Sequence, residues 1–454
     1  MNRKFLIIAL NLIFLLGLLE IVGLLEKHEE WRTFAEEPVN LTLPNGQVER
    51  CLTCHQGIEE ISPSHPIETF GCVSCHGGNG LALDKERAHE GLRGGRNPAA
   101  LSVTNESCGQ SGCHGDSNGN LYRSPVETVP LSPMATKAGE ITEIAFTFLW
   151  QKERLSRYSV ERITDTSGGT KELLAKRGLA TSELQEFVSS GNPLQEKFKQ
   201  NCLASCHLNT GYSKENPDEN YLAGCTACHT PYRKGSTYQG DDPTIDSSEP
   251  GHAPYHQLTT EIPYTQCNSC HNQGIHSISK MEFLQRDDVP ESAITDPQAD
   301  RNENYYIPLA QYSLCEIELD CIDCHTRNEV MGDGFLHGNK ASAQTIKCYD
   351  CHGTTQQEAN FEMIKSQKHD AVWASRYFGD EFPELKPGDK VAVTDINEPM
   401  INVRREDGQV VLYSKVNGKK YIVPQVKGSN CEQNPQEQNA ESCHTCHDIS
   451  EGIK

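Results

Sequence analysis

Nine times along this chain a pair of cysteines is followed immediately by a histidine, and that repeat constrains the fold more than any other feature. Seven copies have two residues between the cysteines: CLTCH at 51–55, CVSCH at 72–76, CTACH at 225–229, CNSCH at 267–271, CIDCH at 321–325, CYDCH at 348–352 and CHTCH at 443–447. Two are looser, CGQSGCH at 108–114 and CLASCH at 202–207. Together the nine use 18 of the 20 cysteines and half of the 18 histidines. The chain's own cysteine and histidine frequencies give roughly 0.03 copies of the tighter form by chance. A cysteine-rich exported chain is ordinarily a disulfide framework, but that reading leaves the histidines unexplained. Zinc sites want paired CxxC units, or CxxC with a distant pair of histidines, and do not explain them either.

The spacing suits covalent haem attachment. Two thiols add across the two vinyl groups of one haem, a short loop matches their separation, and the next histidine is held beneath the iron as proximal ligand. Numbered in chain order, the sites are motif 1 (Cys51, Cys54, His55), motif 2 (Cys72, Cys75, His76), motif 3 (Cys108, Cys113, His114) and motif 4 (Cys202, Cys206, His207). They continue with motif 5 (Cys225, Cys228, His229), motif 6 (Cys267, Cys270, His271) and motif 7 (Cys321, Cys324, His325). Motif 8 is Cys348, Cys351 and His352, and motif 9 is Cys443, Cys446 and His447. The expectation is about nine haem c groups, with proximal ligands His55, His76, His114, His207, His229, His271, His325, His352 and His447.

On these motifs the chain resembles multihaem c-type cytochromes, from Cys51 to His447. The stretch RCLTCH…SHPIETFGCVSCHGGNG…AH, residues 50–90, is similar to modules in cytochrome subunits of membrane-bound respiratory chains. More distantly the chain resembles the nitrite reductase and hydroxylamine oxidoreductase group of multihaem enzymes. It departs from the nitrite reductase pattern in having no CxxCK motif. It lacks the lead-in of the small tetrahaem quinol dehydrogenases, although it shares their N-terminal anchor.

Nine histidines remain for the distal side. The candidates are His65, His89, His252, His256, His276, His337, His369 and His444, imidazole being a good iron ligand. The bland alternative for each is a surface residue or a contact to a haem carboxylate. His28 is the weakest, standing next to an apolar stretch. Met134 and Met331 are possible thioether ligands but read more simply as packing. Two cysteines, Cys315 and Cys431, belong to no motif, and in an oxidising compartment they are expected to pair with one another.

The N-terminus sets the compartment. Arg3 and Lys4 precede an apolar run over residues 5–25, close to the length that crosses a bilayer. No A-x-A cleavage signal follows it, so an uncleaved anchor is expected. The positive-inside rule then puts the haem-bearing chain on the periplasmic or extracellular side of the cytoplasmic membrane. Beyond this anchor (1–25), the motifs group into a three-haem module (26–114), a haem-free, mainly helical insert (115–200) and a five-haem module (201–355). A linker with a small antiparallel β-subdomain (356–430) and a C-terminal haem segment (431–454) complete the chain. Within the insert, ITEIAFTFLWQKERL and TSELQEFVSSG read as helix. Strand alternation over 386–427, with turn signals at Asp407-Gly408 and Asn417-Gly418, defines the β-subdomain.

The fold class expected is mainly α and irregular, packed around haem, because about 48 residues per haem leave little else to fill the interior. A net charge of −22 disfavours nucleic acid as a partner. Redox proteins or a quinol-oxidising membrane complex are the expected partners, and no residue is expected to act as nucleophile or general base. An electron conduit from a membrane donor to an extracytoplasmic acceptor is the leading expectation. The alternative is an oxidoreductase with one open-sided haem that acts on a small nitrogen or sulfur compound.

Overall fold

The computed structural model describes residues 30–95, 97–110, 112–115, 122–165, 181–203, 208–209, 223–231, 236–271, 283–285, 306–308, 315, 318–338 and 340–432, together with Cys443. The apolar run 5–25, His28, most of motif 4, His276, His444, and Cys446 with His447 lie outside these residues. Among those described, no helix is long and apolar enough to cross a membrane.

The attachment motifs are themselves the commonest helical element. Motif 1 opens with a 3-10 turn at Cys51–Thr53. Motif 2 forms α1 (Val73–His76) and motif 5 forms α3 (Thr226–His229). Motif 6 ends α4 (Tyr264–His271), and motifs 7 and 8 form α5 (Cys321–Cys324) and α7 (Cys348–His352). The reason is geometric: residues three and four apart share one helical face, so a single turn aims both thiols and the histidine at one ligand. In motifs 1, 2, 5 and 7 the backbone N–H of the following histidine closes the turn on the first cysteine, as in His76 N to Cys72 O at 2.9 Å and His229 N to Cys225 O at 3.0 Å. Motif 3, with its longer spacer, has no helix, yet His114 N still donates to Cys108 O at 3.0 Å.

The insert holds one substantial helix, α2 (Ala138–Thr147), and a sheet of β1 (Tyr158–Ser159), β2 (Ile163–Thr164) and β3 (Glu183–Glu186). Strand β3 pairs parallel with β1 and antiparallel with β2. Helix had been expected over TSELQEFVSSG, and this is corrected: Leu184 and Phe187 enter different apolar clusters, so their three-residue spacing is not a helical stripe. Thr181 Oγ1, in the supposed cap region, donates to Glu183 O at 3.0 Å and forms a local turn instead.

Near the C-terminus a five-stranded antiparallel meander runs β4 (Phe361–Met363), β5 (Lys390–Val393), β6 (Pro399–Glu406), β7 (Gln409–Tyr413) and β8 (Lys420–Ile422). The β6–β7 reversal falls at Asp407 and Gly408, both at positive φ (48° and 82°), as a type I′ turn requires. One face of the sheet packs Val391 and Ile401 against helix α8 (Asp370–Ser375). Its other face places Ala392, Met400, Val403 and Leu412 against Leu319, Cys324 and Cys351. The sheet is therefore wedged directly onto motifs 7 and 8.

Cys315 and Cys431 are not joined by the expected disulfide. Cys315 packs instead with Cys324 and Cys351 beneath the sheet. Met134 and Met331 both pack against the apolar cluster that holds Val129, as does Leu101.

Candidate haem sites

Among the described residues, three pairs of histidine rings lie close together. His55 and His89 have ring centres 6.1 Å apart, His65 and His114 5.9 Å, and His76 and His256 5.9 Å. Two imidazoles that grip one metal ion from opposite sides, through bonds of about 2 Å, have ring centres about 6 Å apart. Each pair joins an attachment histidine to a distal candidate from elsewhere in the chain. His89, which follows motif 2, opposes His55 of motif 1. His65, between motifs 1 and 2, opposes His114 of motif 3. His256, beyond motif 5, opposes His76 of motif 2.

Hydrogen bonds orient these rings. His55 Nδ1 lies 2.8 Å from Asp242 Oδ2 and 2.9 Å from Thr244 Oγ1. His229 Nδ1 lies 2.8 Å from Thr259 O, His352 Nδ1 2.8 Å from Pro424 O, and His325 Nδ1 2.8 Å from Glu329 Oε2. On the distal side His65 Nδ1 lies 2.9 Å from Ser62 Oγ and His256 Nδ1 3.2 Å from Glu59 O. A ligating histidine is held in this way, with one ring nitrogen donating to a carbonyl or carboxylate and Nε2 left for the metal.

Electrostatics favour the neutral, ligating form of most of these rings. Burial is the main cause of the lowered basicity of His76, down to about 4, with the nearby charges of His256, His55 and Arg93 adding to it. Burial likewise lowers His65, His89, His114 and His229. His55 is the exception: its hydrogen bond to Asp242 raises it. Burial pushes the Cys225 and Cys351 thiols up to about 12 and Cys228 up to about 11.

Two buried carboxylates back the axial rings, and sequence reading missed both. Glu329 accepts from His325 Nδ1 and, with its other oxygen, from Thr345 Oγ1 at 3.1 Å, Ile346 N at 2.6 Å and Thr345 N. It is also the third helical residue of a capping box with Thr326 that starts α6 (Arg327–Met331). A carboxylate four residues after the motif histidine was its signal. Asp242 is 187 residues from His55 and left no such signal.

The remaining candidates are placed differently. His337 is buried with both ring nitrogens engaged, Nε2 at 3.0 Å from Asp333 and Nδ1 at 3.2 Å from Ser342 Oγ. His369 caps α8, its Nδ1 accepting from Ala371 N at 3.2 Å, and its Nε2 lies 3.5 Å from Glu362. His252 Nε2 lies 3.9 Å from Glu249. The cluster Glu49–Cys51–Cys72 could in principle hold a metal ion. However, the Glu49 carboxylate already accepts the N–H groups of Cys72, at 2.6 Å, and Val73.

The residues fit haem by a further criterion. Arg327 lies near enough to His114 for its charge to lower that ring's basicity, and its buried Nη1 has no partner among the described residues. A haem carboxylate is the group such a donor would bind.

Cysteine pairs on helical turns, each followed by a histidine, with imidazoles paired about 6 Å apart, are the arrangement that a c-type haem site requires. Residues 266–353 match the family model described as cytochrome c554 and c-prime, a match that takes in motifs 6, 7 and 8 and supports a c-type haem protein with a role in electron transfer. Comparison with the curated proteins and with the solved structures finds no match.

Proposed function

We propose that this chain is a multihaem electron conduit, carrying about nine covalently attached haems and held by its N-terminal apolar segment on the outer face of the cytoplasmic membrane. It takes electrons from a membrane donor, the quinol pool or a membrane complex, and delivers them to an extracytoplasmic acceptor. Bound haem supplies the one-electron chemistry of ferric and ferrous iron. The chain's residues attach it, supply both axial ligands, and tune the axial histidines through Asp242, Glu329 and backbone carbonyls.

The observation that carries this reading is the set of opposed pairs His55/His89, His65/His114 and His76/His256. An iron closed on both sides by imidazole exchanges electrons without binding substrate. The test is low-temperature EPR of the fully oxidised protein after its haem content has been counted. Low-spin signals from all haems support the conduit. A high-spin ferric signal that shifts on adding nitrite, hydroxylamine or sulfite would make the protein an oxidoreductase instead.

A further inference from the structure

The geometry points to a spatial order of electron-carrying sites, 1–2–3–5–6–7–8, that begins beside the chain following the N-terminal apolar run and ends beneath the C-terminal sheet. This rests on the conduit reading and adds to it the route among the seven described sites and the two ends of that line. Each consecutive pair of sites is joined by contacts from residues inside or bordering the two motifs.

Motifs 1 and 2 meet at Cys51 and Cys72, whose sulfur atoms and the Glu49 carboxylate lie within 4.8 Å of one another. Motif 3 docks on motif 2 through Gln110, inside the CGQSGCH loop, which donates to Ser74 O inside CVSCH at 2.8 Å. The link from motif 3 to motif 5 runs through one loop. Ser107 Oγ, next to Cys108, donates to Pro98 O at 2.5 Å, and Cys225 N donates to Ala99 O at 3.1 Å. Gly224 makes that approach possible, since a Cβ there would stand 1.9 Å from Ala99 O. Asn97 Nδ2 adds a bond to Thr226 Oγ1 at 3.1 Å.

Gln266 Nε2, beside Cys267 of motif 6, donates to Ala227 O in motif 5 at 2.6 Å, and Cys228 and Cys267 pack on one apolar cluster. Ile322 of motif 7 belongs to the same cluster, and Tyr264 N donates to Asp320 Oδ1 at 2.8 Å. Motifs 7 and 8 then share the cluster under the sheet through Cys324 and Cys351, and Glu329 ties His325 to the Ile346 N–H just before motif 8.

The ends follow from the same contacts. Val39, fourteen residues past the apolar run, donates its N–H to Thr53 Oγ1 inside motif 1 at 3.0 Å. His352 is held by Pro424 O and by a bond from Val426 N to its carbonyl, at the edge of the β-sheet. Cys206 and His207 of motif 4 lie outside the described residues, so the order is given for the other sites; of its neighbours, Leu203 packs into the insert with Ile141 and Phe198, and Leu208 packs beside Ala227 of motif 5.

The test is to locate the irons of the unmodified, haem-loaded full chain, by anomalous diffraction at the iron edge or in a cryo-EM map. The expected result is that the nearest neighbours of the motif 5 iron, among these seven, are those of motifs 3 and 6. Irons 1 and 8 should be the ends. An iron order that separates 3 from 5, or brings 8 next to 1, overturns the route while leaving the axial pairs intact. An iron lacking its second imidazole at motif 1, 2 or 3 refutes the conduit's ligand set without touching the order.

Discussion

Replacing Glu329 by Gln isolates one charge at one axial histidine. Gln occupies nearly the same volume and keeps the capping box at the start of α6, so the local fold is retained. The Glu329 side chain is 5% exposed and its Oε2 lies 2.8 Å from His325 Nδ1. A metal on Nε2 would sit about 6–7 Å from that oxygen, given a metal–nitrogen bond of about 2 Å. At an effective dielectric constant of about 20, one charge at that range is worth about 2.5 kcal/mol. For a one-electron couple this is about 110 mV, since 59 mV corresponds to a tenfold change. Because the His325 ring is partly exposed, the expected value is on the order of 50–100 mV. The sign is upward: the carboxylate opposes the electron arriving on the iron, and its removal makes reduction easier. A spectroelectrochemical titration should show one component moved up by this amount and the others unmoved. If every component stays within about 20 mV of its original midpoint, Glu329 does not act on an axial ligand and the orientation argument for His325 fails.

Three further substitutions test other parts of the structure. His256→Gly should create one high-spin ferric component in the EPR spectrum by uncapping motif 2, whereas His252→Gly and His337→Gly should create none. Glu398, fully buried among Thr326, Asn328 and the sheet, is pushed by burial up to about 7, so the folded protein holds a proton there that the unfolded chain releases near 4.5. Stability should therefore fall by about 3 kcal/mol as pH rises from about 4.5 to 7, and Glu398→Gln should remove that slope in thermal unfolding followed across pH. Gly224→Ala, at φ +60° and against Ala99 O, should cost at least about 2 kcal/mol and lower the melting temperature by several degrees.

The repeated motifs are legible in the sequence because their geometry is local: one helical turn carries both thiols and the following histidine. His65 and His89 were legible as candidates for a related reason, since each stands in a short connection between motifs. Which ring each would face was not legible. His89 opposes the ring of motif 1 although motif 2 is nearer in sequence, and His256 comes to motif 2 from 180 residues away. His337 and His369 passed the same composition test, but nearby acids, a hydroxyl and a helix N-terminus occupy their nitrogens. The strand Glu183–Glu186 was unreadable because Leu184 and Phe187 imitate a helical spacing while packing into separate clusters.

The opposed rings also show why the stretches of sequence with three and five motifs are not independent pieces. Residues 26–114 carry both rings for motifs 1 and 3, but the ring facing His76 arrives on a loop from beyond motif 5. That loop is fixed to the first stretch a second time: Glu59 accepts from His256 N at 3.0 Å and from Tyr238 Oη, and Asp242 engages His55. With small apolar clusters in place of a continuous core, such crossed ligands and hydrogen bonds hold the two stretches in register. The same contacts that complete one site thereby position the next, so the stability of the fold and the continuity of an electron route rest on one set of residues.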